Sequence, residues 1–288
     1  MNKFFKVFTI ILNYNSKDTI KDCLFSVFKS DYPNLEAIVV DNNSSDGSLE
    51  LAKKIFPRAH FIKNEKNFGF AAGANVGIRF ALEKFADYIF LLNSDAFIER
   101  KTISKLIKTA ESVKKAGILS PIIYNSEKEG VWFSGGRIKW FSMKAAHSRS
   151  GPKTKPYAVS YVSGCAMLVK KDVFREIGIF DEDYFLYYED ADFCRRAKKK
   201  GFECLIVPEA RAYHAEKSES DKKSKTYWLV FSALIFFKKN APLILKPWLF
   251  FYLFLRKAKN KMDIASRKNE LAKIVRKAYN DFKIWNSR

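Results

Sequence analysis

Short apolar runs separated by amphipathic stretches organise the first hundred residues. The runs at 7–12, 35–40, 59–62 and 88–92 have the length and content of strands buried on both faces. Between the first two, Ile20, Leu24, Val27 and Phe28 recur at helical spacing, and residues 70–85 read as a helix rich in small side chains. Strand, helix, strand in this order predicts a sheet with parallel pairs, right-handed crossovers and helices on both faces. A helix over 102–115 and a strand over 118–123 continue the pattern. Regularity then lapses through Trp132, Gly135, Gly136 and Trp140, which read as a long loop or hairpin. A strand is expected over 157–169, a helix over 189–200, and a strand over 202–207 that Pro208 closes. There is no internal repeat and no low-complexity linker.

The polar residues that follow the apolar runs carry the candidate chemistry, because ligands of such sheets sit at the carboxyl ends of the strands. They are Asn13, Tyr14 and Asn15 after the first run, Asp41, Asn42 and Asn43 after the second, and Asn93, Ser94 and Asp95 after the fourth. All are expected to line one crevice. A dinucleotide-binding enzyme needs a glycine-rich loop after the first strand. Here the chain reads Asn13-Tyr14-Asn15-Ser16, which argues against nicotinamide or flavin chemistry.

Composition narrows the class. The 288 residues hold 52 Lys and Arg against 31 Asp and Glu, a net +21, yet 48% are hydrophobic and 16% aromatic, too apolar for a disordered polycation. The charge is uneven: residues 217–288 carry a net +13 and the first 216 only +8. This divides the chain into an expected catalytic domain over 1–216 and a basic, aromatic helical extension over 217–288. Cys23, Cys165, Cys194 and Cys204 show neither metal-binding spacing nor a paired framework, so a reducing, cytoplasmic compartment is expected. The run at 7–12 lacks a small-residue cleavage site and reads as a strand rather than a signal peptide.

Without a glycine cradle, a nucleotide diphosphate needs another counter-charge, and a divalent cation on a carboxylate is the usual substitute. Asp95 sits two residues beyond an apolar strand, with Asn93 as a neutral oxygen donor, although such residues also cap turns. Asp41 suits a hydrogen bond to a ribose or base, and equally a turn that caps a helix at Ser48. Glu189 and Asp190 follow the aromatic run 184–188 and open a helix. A carboxylate beside aromatics is partly desolvated, which raises its basicity and suits general-base work. Neighbours on a helix point about 100° apart, so one of the two should face the reacting centre. His214, one of three histidines, lies just beyond a strand; it either packs structurally or completes a metal site.

Together these pieces resemble the family 2 glycosyltransferases of the GT-A fold, and among them the rhamnosyltransferase-like branch. The carrying blocks are Ile11-Leu12-Asn13-Tyr14-Asn15, Val40-Asp41-Asn42-Asn43-Ser44-Ser45-Asp46-Gly47, Asn67-Phe68-Gly69-Phe70-Ala71-Ala72-Gly73-Ala74-Asn75, Leu92-Asn93-Ser94-Asp95, Ser163-Gly164-Cys165-Ala166 and Tyr187-Tyr188-Glu189-Asp190-Ala191-Asp192. The resemblance implies a Rossmann-like mixed α/β sheet flanked by helices. It implies nucleotide contacts from Asn13, Asn15, Asp41, Asn43, Asn67, Gly69, Asn75 and Ser94, and Mn²⁺ or Mg²⁺ held by Asp95 with Asn93 and His214. Asp190, beside Glu189, is the implied base, and Gly164, Cys165, Trp132 and Tyr188 would meet the donor sugar or the acceptor. Asn93 stands where the strict metal motif has aspartate. The implied reaction is inverting transfer from a nucleotide-diphosphate sugar, such as dTDP-rhamnose or a UDP-sugar, to a glycan or lipid-linked acceptor in surface polysaccharide synthesis.

The extension adds apolar runs at 227–237 and 248–255, too short for the roughly 20 residues that span a bilayer. Lys, Arg and Trp flank them, as in helices lying on an anionic leaflet; a hydrophobic lid on the catalytic domain has the same composition. A peripheral position on the inner face of the plasma membrane is expected. Two other classes were weighed. A basic nucleic-acid or anionic-lipid binding protein fits the charge, but the charge is gathered in the tail, so no nucleic acid is expected. A sugar-phosphate nucleotidyltransferase wants a Gly- and Arg-rich loop where residues 13–18 stand.

Overall fold

A computed structural model describes residues 4–126, 130–151, 153–215, 222–266 and 269–287. The first half alternates as β1 (Val7–Asn13), α1 (Ile20–Phe28), β2 (Leu35–Asp41), α2 (Ser48–Ile55), β3 (His60–Lys63), α3 (Gly69–Glu83), β4 (Tyr88–Asn93), β5 (Ala96–Ile98), α4 (Thr102–Ser112) and β6 (Ala116–Asn125). The second half adds β7 (Val131–Phe133), β8 (Gly136–Lys139), β9 (Lys144–His147), β10 (Tyr157–Ala158), β11 (Ala166–Lys170), α5 (Lys171–Ile177), α6 (Glu189–Lys199) and β12 (Glu203–His214). Three helices close the chain, α7 (Lys222–Asn240), α8 (Lys246–Ala265) and α9 (Ala272–Trp285).

The main sheet runs β10-β12-β6-β11-β4-β1-β2-β3, with β5 added to β12 and β7 to β6. β1 pairs in parallel with both β2 and β4, and β2 with β3. β11 is antiparallel between β4 and β6, so the sheet is mixed. Its central strands are almost wholly buried, as their unbroken apolar runs require. α1 turns Ile20, Cys23, Leu24 and Val27 inward. The small residues of α3 let it settle onto the sheet: a Cβ on Gly77 would stand 2.7 Å from a methyl of Ile10.

The strand expected to end before Pro208 instead runs on to His214. β12 absorbs the proline in a register shift between Val207 and Arg211 against β6, where no ladder donor is demanded of it. The strand expected over 157–169 divides into β10 and β11, and the segment from Trp132 to Trp140 resolves into β7 and the β8-β9 hairpin. The boundary expected at 216/217 falls on residues 216–221, outside the described residues. Beyond it, α7 is tied to the sheet domain. Leu234, Ile235, Phe236 and Phe237 are buried, the last three within the main core, and Ser232 Oγ donates to the Leu186 carbonyl at 2.7 Å. Asn240 Nδ2 donates to Asp192 on α6 at 2.7 Å.

Gly69 has φ +78°, and a Cβ there would stand 2.2 Å from the Phe185 carbonyl oxygen. The neighbouring Phe70 amide donates to that same oxygen at 2.7 Å. Gly69→Ala is therefore expected to cost about 3 kcal/mol, read as a lower urea midpoint. An unchanged midpoint would mean that the 185–188 segment is not held against α3.

Candidate functional site

A cavity of about 610 Å³ opens at the carboxyl ends of β1 and β4, and the register explains what gathers there. Leu12 of β1 pairs with Asn93 of β4, so the loops carrying Tyr14 and Asn15 and those carrying Asn93 and Asp95 leave the sheet on the same side. β5 pairs with β12 through Ala96 and His214, which sets His214 beside Asp95. The His214 Nε2 to Asp95 Oδ1 distance is 3.2 Å, yet Asp95 Oδ1 and His214 Nδ1 are both buried without a hydrogen-bond partner among the described residues. Trp132 of β7 lies edge-to-face against the His214 ring at 4.5 Å.

The chemistry of this pair fits a divalent cation. It offers one carboxylate oxygen and one imidazole, unspent on other hydrogen bonds, at the wall of a polar cavity. No three His, Cys, Asp or Glu side chains cluster among the described residues. Two protein donors suit a cation that completes its shell with substrate phosphates and water rather than an all-protein cage.

The second chemical group comes from the start of α6. Tyr187 and Tyr188 both have left-handed backbones, φ 67° and 70°. Such strain in two large residues persists only where surrounding contacts enforce it. Here the Tyr188 hydroxyl accepts from the Ala145 amide at 3.2 Å and its ring packs on Phe236. The turn delivers Glu189 and Asp190 to the cavity, but into different environments. Asp190 accepts from the Gly164 amide at 3.1 Å and from the Ala191 amide at 2.6 Å. Glu189 Oε2 is buried without a hydrogen bond among the described residues. Burial, with the Asp190 charge beside it, pushes the Glu189 carboxyl well above its ordinary range. Burial also raises Asp190, to about 6, against the opposing pull of the two amides. Two adjacent carboxyls with unequal support divide the roles. Burial without a hydrogen bond favours the protonated form of Glu189, whereas the two amides favour the carboxylate form of Asp190.

Of the residues singled out from sequence, Asn15, Asn93, Asp95, Trp132, Gly164, Cys165, Tyr188, Glu189, Asp190 and His214 line this cavity. Asn13, Asp41, Asn43, Asn67, Gly69, Asn75 and Ser94 are not among its lining residues. Asn13 and Asp41 are buried and bonded to one another, Nδ2 to Oδ1 at 2.7 Å, and Ser44 and Ser48 complete the knot. Asn43 is exposed with φ 63°. Asn67 accepts from the Gly69 amide and from Asn42. Asn75 bridges α3 to the Phe180 backbone and Glu182. Ser94 meets Ser16 at 2.7 Å, tying the β1 and β4 loops together.

Sequence reasoning missed Tyr161, His147 and Arg149, which also line the cavity, as do Lys225 and Leu229 of α7. The last two lie in the segment assigned to the extension. The scarcity of histidine was the one signal that pointed to His147.

Comparison with known proteins gives the family and the fold. The model of the family described as "Glycosyl transferase family 2" matches residues 9–178. The low-salt glycan biosynthesis hexosyltransferase Agl10 of Haloferax volcanii is 29% identical over 226 residues, 76% of this chain and 70% of its own length. The dTDP-rhamnosyl transferase RfbF of Shigella flexneri is 27% identical over 252 residues, 83% of this chain and 82% of its own. Among solved structures, GalNAc-T7 with UDP, GalNAc and Mn²⁺ superposes with a TM-score of 0.67 at 17% identity. That match covers 83% of this chain and 48% of the other, a likeness that shows the GT-A fold.

Proposed function

The chain belongs to glycosyl transferase family 2, and from that premise we propose that it is an inverting, metal-assisted transferase acting on a nucleotide-diphosphate sugar. The acceptor is a glycan or lipid-linked sugar used in surface polysaccharide synthesis. The enzyme works at the inner face of the plasma membrane, which its C-terminal extension meets. The observation that carries the reading is the division of labour in one cavity. The Asp190 carboxyl is held by the Gly164 amide, and Asp95 Oδ1 and His214 Nε2 face one another at 3.2 Å at the cavity wall.

In this reading Asp190 takes the proton from an acceptor hydroxyl as that oxygen bonds to the anomeric carbon. The bond from that carbon to the diphosphate oxygen breaks on the opposite face, and no covalent enzyme intermediate forms. A divalent cation on Asp95 and His214, when bound, neutralises charge on the departing diphosphate. Glu189, protonated, keeps a second negative charge away from the base. Trp132 and Tyr188 offer aromatic faces to the sugars. The polar lining from Asn15 and Asn93 supplies hydrogen-bonding groups for the donor.

The base must be ionised to act, and burial has raised its pKa to about 6. kcat/KM is therefore expected to rise with pH through about 6 and to level off above it. A limb centred near 4, the ordinary carboxylate range, would place the base elsewhere. The donor is identified by a thermal-shift panel of UDP, dTDP and GDP with Mn²⁺. A nucleotide at 100 times its Kd stabilises by about 2.7 kcal/mol. The relative from Shigella flexneri, a dTDP-rhamnosyl transferase by name, supports dTDP as the first member of the panel. No shift with any of the three would count against the reading.

A further inference from the structure

Not all of the basic tail is available to a membrane. The run at 227–237 is largely spent on the body of the protein, since Phe236 and Phe237 are buried, the first stacked on Trp140 and the second edge-to-face with it. α8 behaves differently. It docks on the rest of the molecule through a narrow stripe: Leu249 is buried, Asn260 Nδ2 donates to the Ala272 carbonyl at 2.9 Å, and Trp248 Nε1 donates to the Phe141 carbonyl at 3.0 Å. Its opposite face is apolar and open. Phe250 is 79% exposed, Phe254 62% and Met262 69%, with Phe251 and Leu255 exposed beside them. At about 100° per residue these five side chains fall within one arc of roughly 140°. The turn leading into the helix carries Leu243 and Ile244, the latter 87% exposed, and Phe141 at the hairpin tip is exposed next to Trp248.

Isolated exposed apolar residues need no explanation, but a contiguous face of this kind marks a contact surface. Its charge selects the partner. From Lys246 to Met262 there is no acidic residue, while Lys246, Arg256, Lys257, Lys259 and Lys261 are all basic; on the helical wheel Lys246 and Lys257 flank one edge of the apolar arc, Lys261 lies just inside that edge, and Lys259 flanks the other. No helix among the described residues is long and apolar enough to cross a bilayer. An apolar arc bordered by cations on a helix that does not span is the pattern of a helix lying in an anionic leaflet, apolar side down. An apolar groove of about 330 Å³ opens beside it, shares Phe250, and has Lys238 and Lys246 among its lining residues.

We propose that the solvent-facing side of α8, together with Leu243, Ile244 and Phe141, is an in-plane docking surface for an anionic phospholipid leaflet. It rests on the proposed function only for its purpose, bringing the cavity to a lipid-linked acceptor, and its test is independent of turnover. Full-length protein is sedimented with phosphatidylcholine vesicles with and without 30 mol% phosphatidylglycerol, alongside Phe251→Glu/Phe254→Glu and Lys246→Gln/Lys261→Gln. The wild type is expected to pellet with the anionic vesicles and to be partly released at high salt. The phenylalanine pair should bind about a hundredfold more weakly or worse, by loss of two buried aromatic rings and gain of two repelled charges. The lysine pair should lose about 25-fold, at about fivefold per cation. Because the substituted residues are exposed, melting temperature and nucleotide binding should not move. A wild type that stays in the supernatant at low salt, or a phenylalanine pair that pellets as well as the wild type, overturns the proposal. So does a self-associated wild type, by sedimentation velocity, that becomes monomeric in the phenylalanine pair, because the face would then be an interface between copies. Loss of donor turnover with vesicle binding intact would strike the proposed function instead.

Discussion

Asp190→Asn is expected to lower kcat by about 10² to 10⁴ while leaving the Kd for a nucleoside diphosphate nearly unchanged. Asparagine preserves the shape and can still accept from the Gly164 amide, which lies 3.1 Å from Oδ2, but it cannot take a proton. Glu189→Gln should cost far less, because burial already favours the neutral form of Glu189 and Oε2 makes no hydrogen bond among the described residues that the amide would break. Calorimetric titration of nucleotide separates binding from turnover. A mutant at Asp190 keeping more than roughly a tenth of the wild-type kcat would remove it from the role of base.

Asp95→Ala should impair both donor affinity and rate, each by about a hundredfold, since several kcal/mol of charge stabilisation at the diphosphate would be lost. EDTA should stop wild-type turnover, and Mn²⁺ or Mg²⁺ should restore it. His214→Ala should cause a milder loss, because a carboxylate remains to hold the cation. Asp95 Oδ1 faces His214 Nε2 at 3.2 Å without forming a hydrogen bond among the described residues, which sharpens this expectation: a structural pair would be expected to satisfy its own hydrogen bonds. Full activity in EDTA would leave the diphosphate to be neutralised by cationic side chains, of which Arg149 lines the cavity.

The first half of the fold was legible because its strands are nearly pure apolar runs and its helices have a strong one-sided pattern. β1 through β4 match the expected runs to within a residue or two. The second half was harder, for identifiable reasons. β12 carries a proline inside a register shift, and β8 and β9 are partly exposed and lack alternation. The distinction between Phe236, which is core, and Phe250, which is exposed, depends on the packing of α7 against a hairpin almost a hundred residues away. Composition alone cannot separate them.

The site divides in the same way. Asp95, Asp190 and His214 were readable as residue types in a motif context, and the register between β5 and β12 accounts for the convergence of Asp95 and His214. Which carboxyl of the Glu189-Asp190 pair has amide support was not readable, because one of the two amides that donate to Asp190 is that of Gly164, 26 residues earlier. Likewise Asn13 and Asp41 stood out as polar residues at strand ends, but their pairing across 28 residues of sequence emerged only with the parallel alignment of β1 and β2.

The most direct test of the central claim is the configuration of the product. With the donor that the nucleotide panel selects, proton NMR of the first-formed glycoside should show the anomeric centre inverted relative to the donor, with Asp190→Asn forming no product under the same conditions. A product that retains the donor configuration would contradict single displacement by an acceptor deprotonated at Asp190.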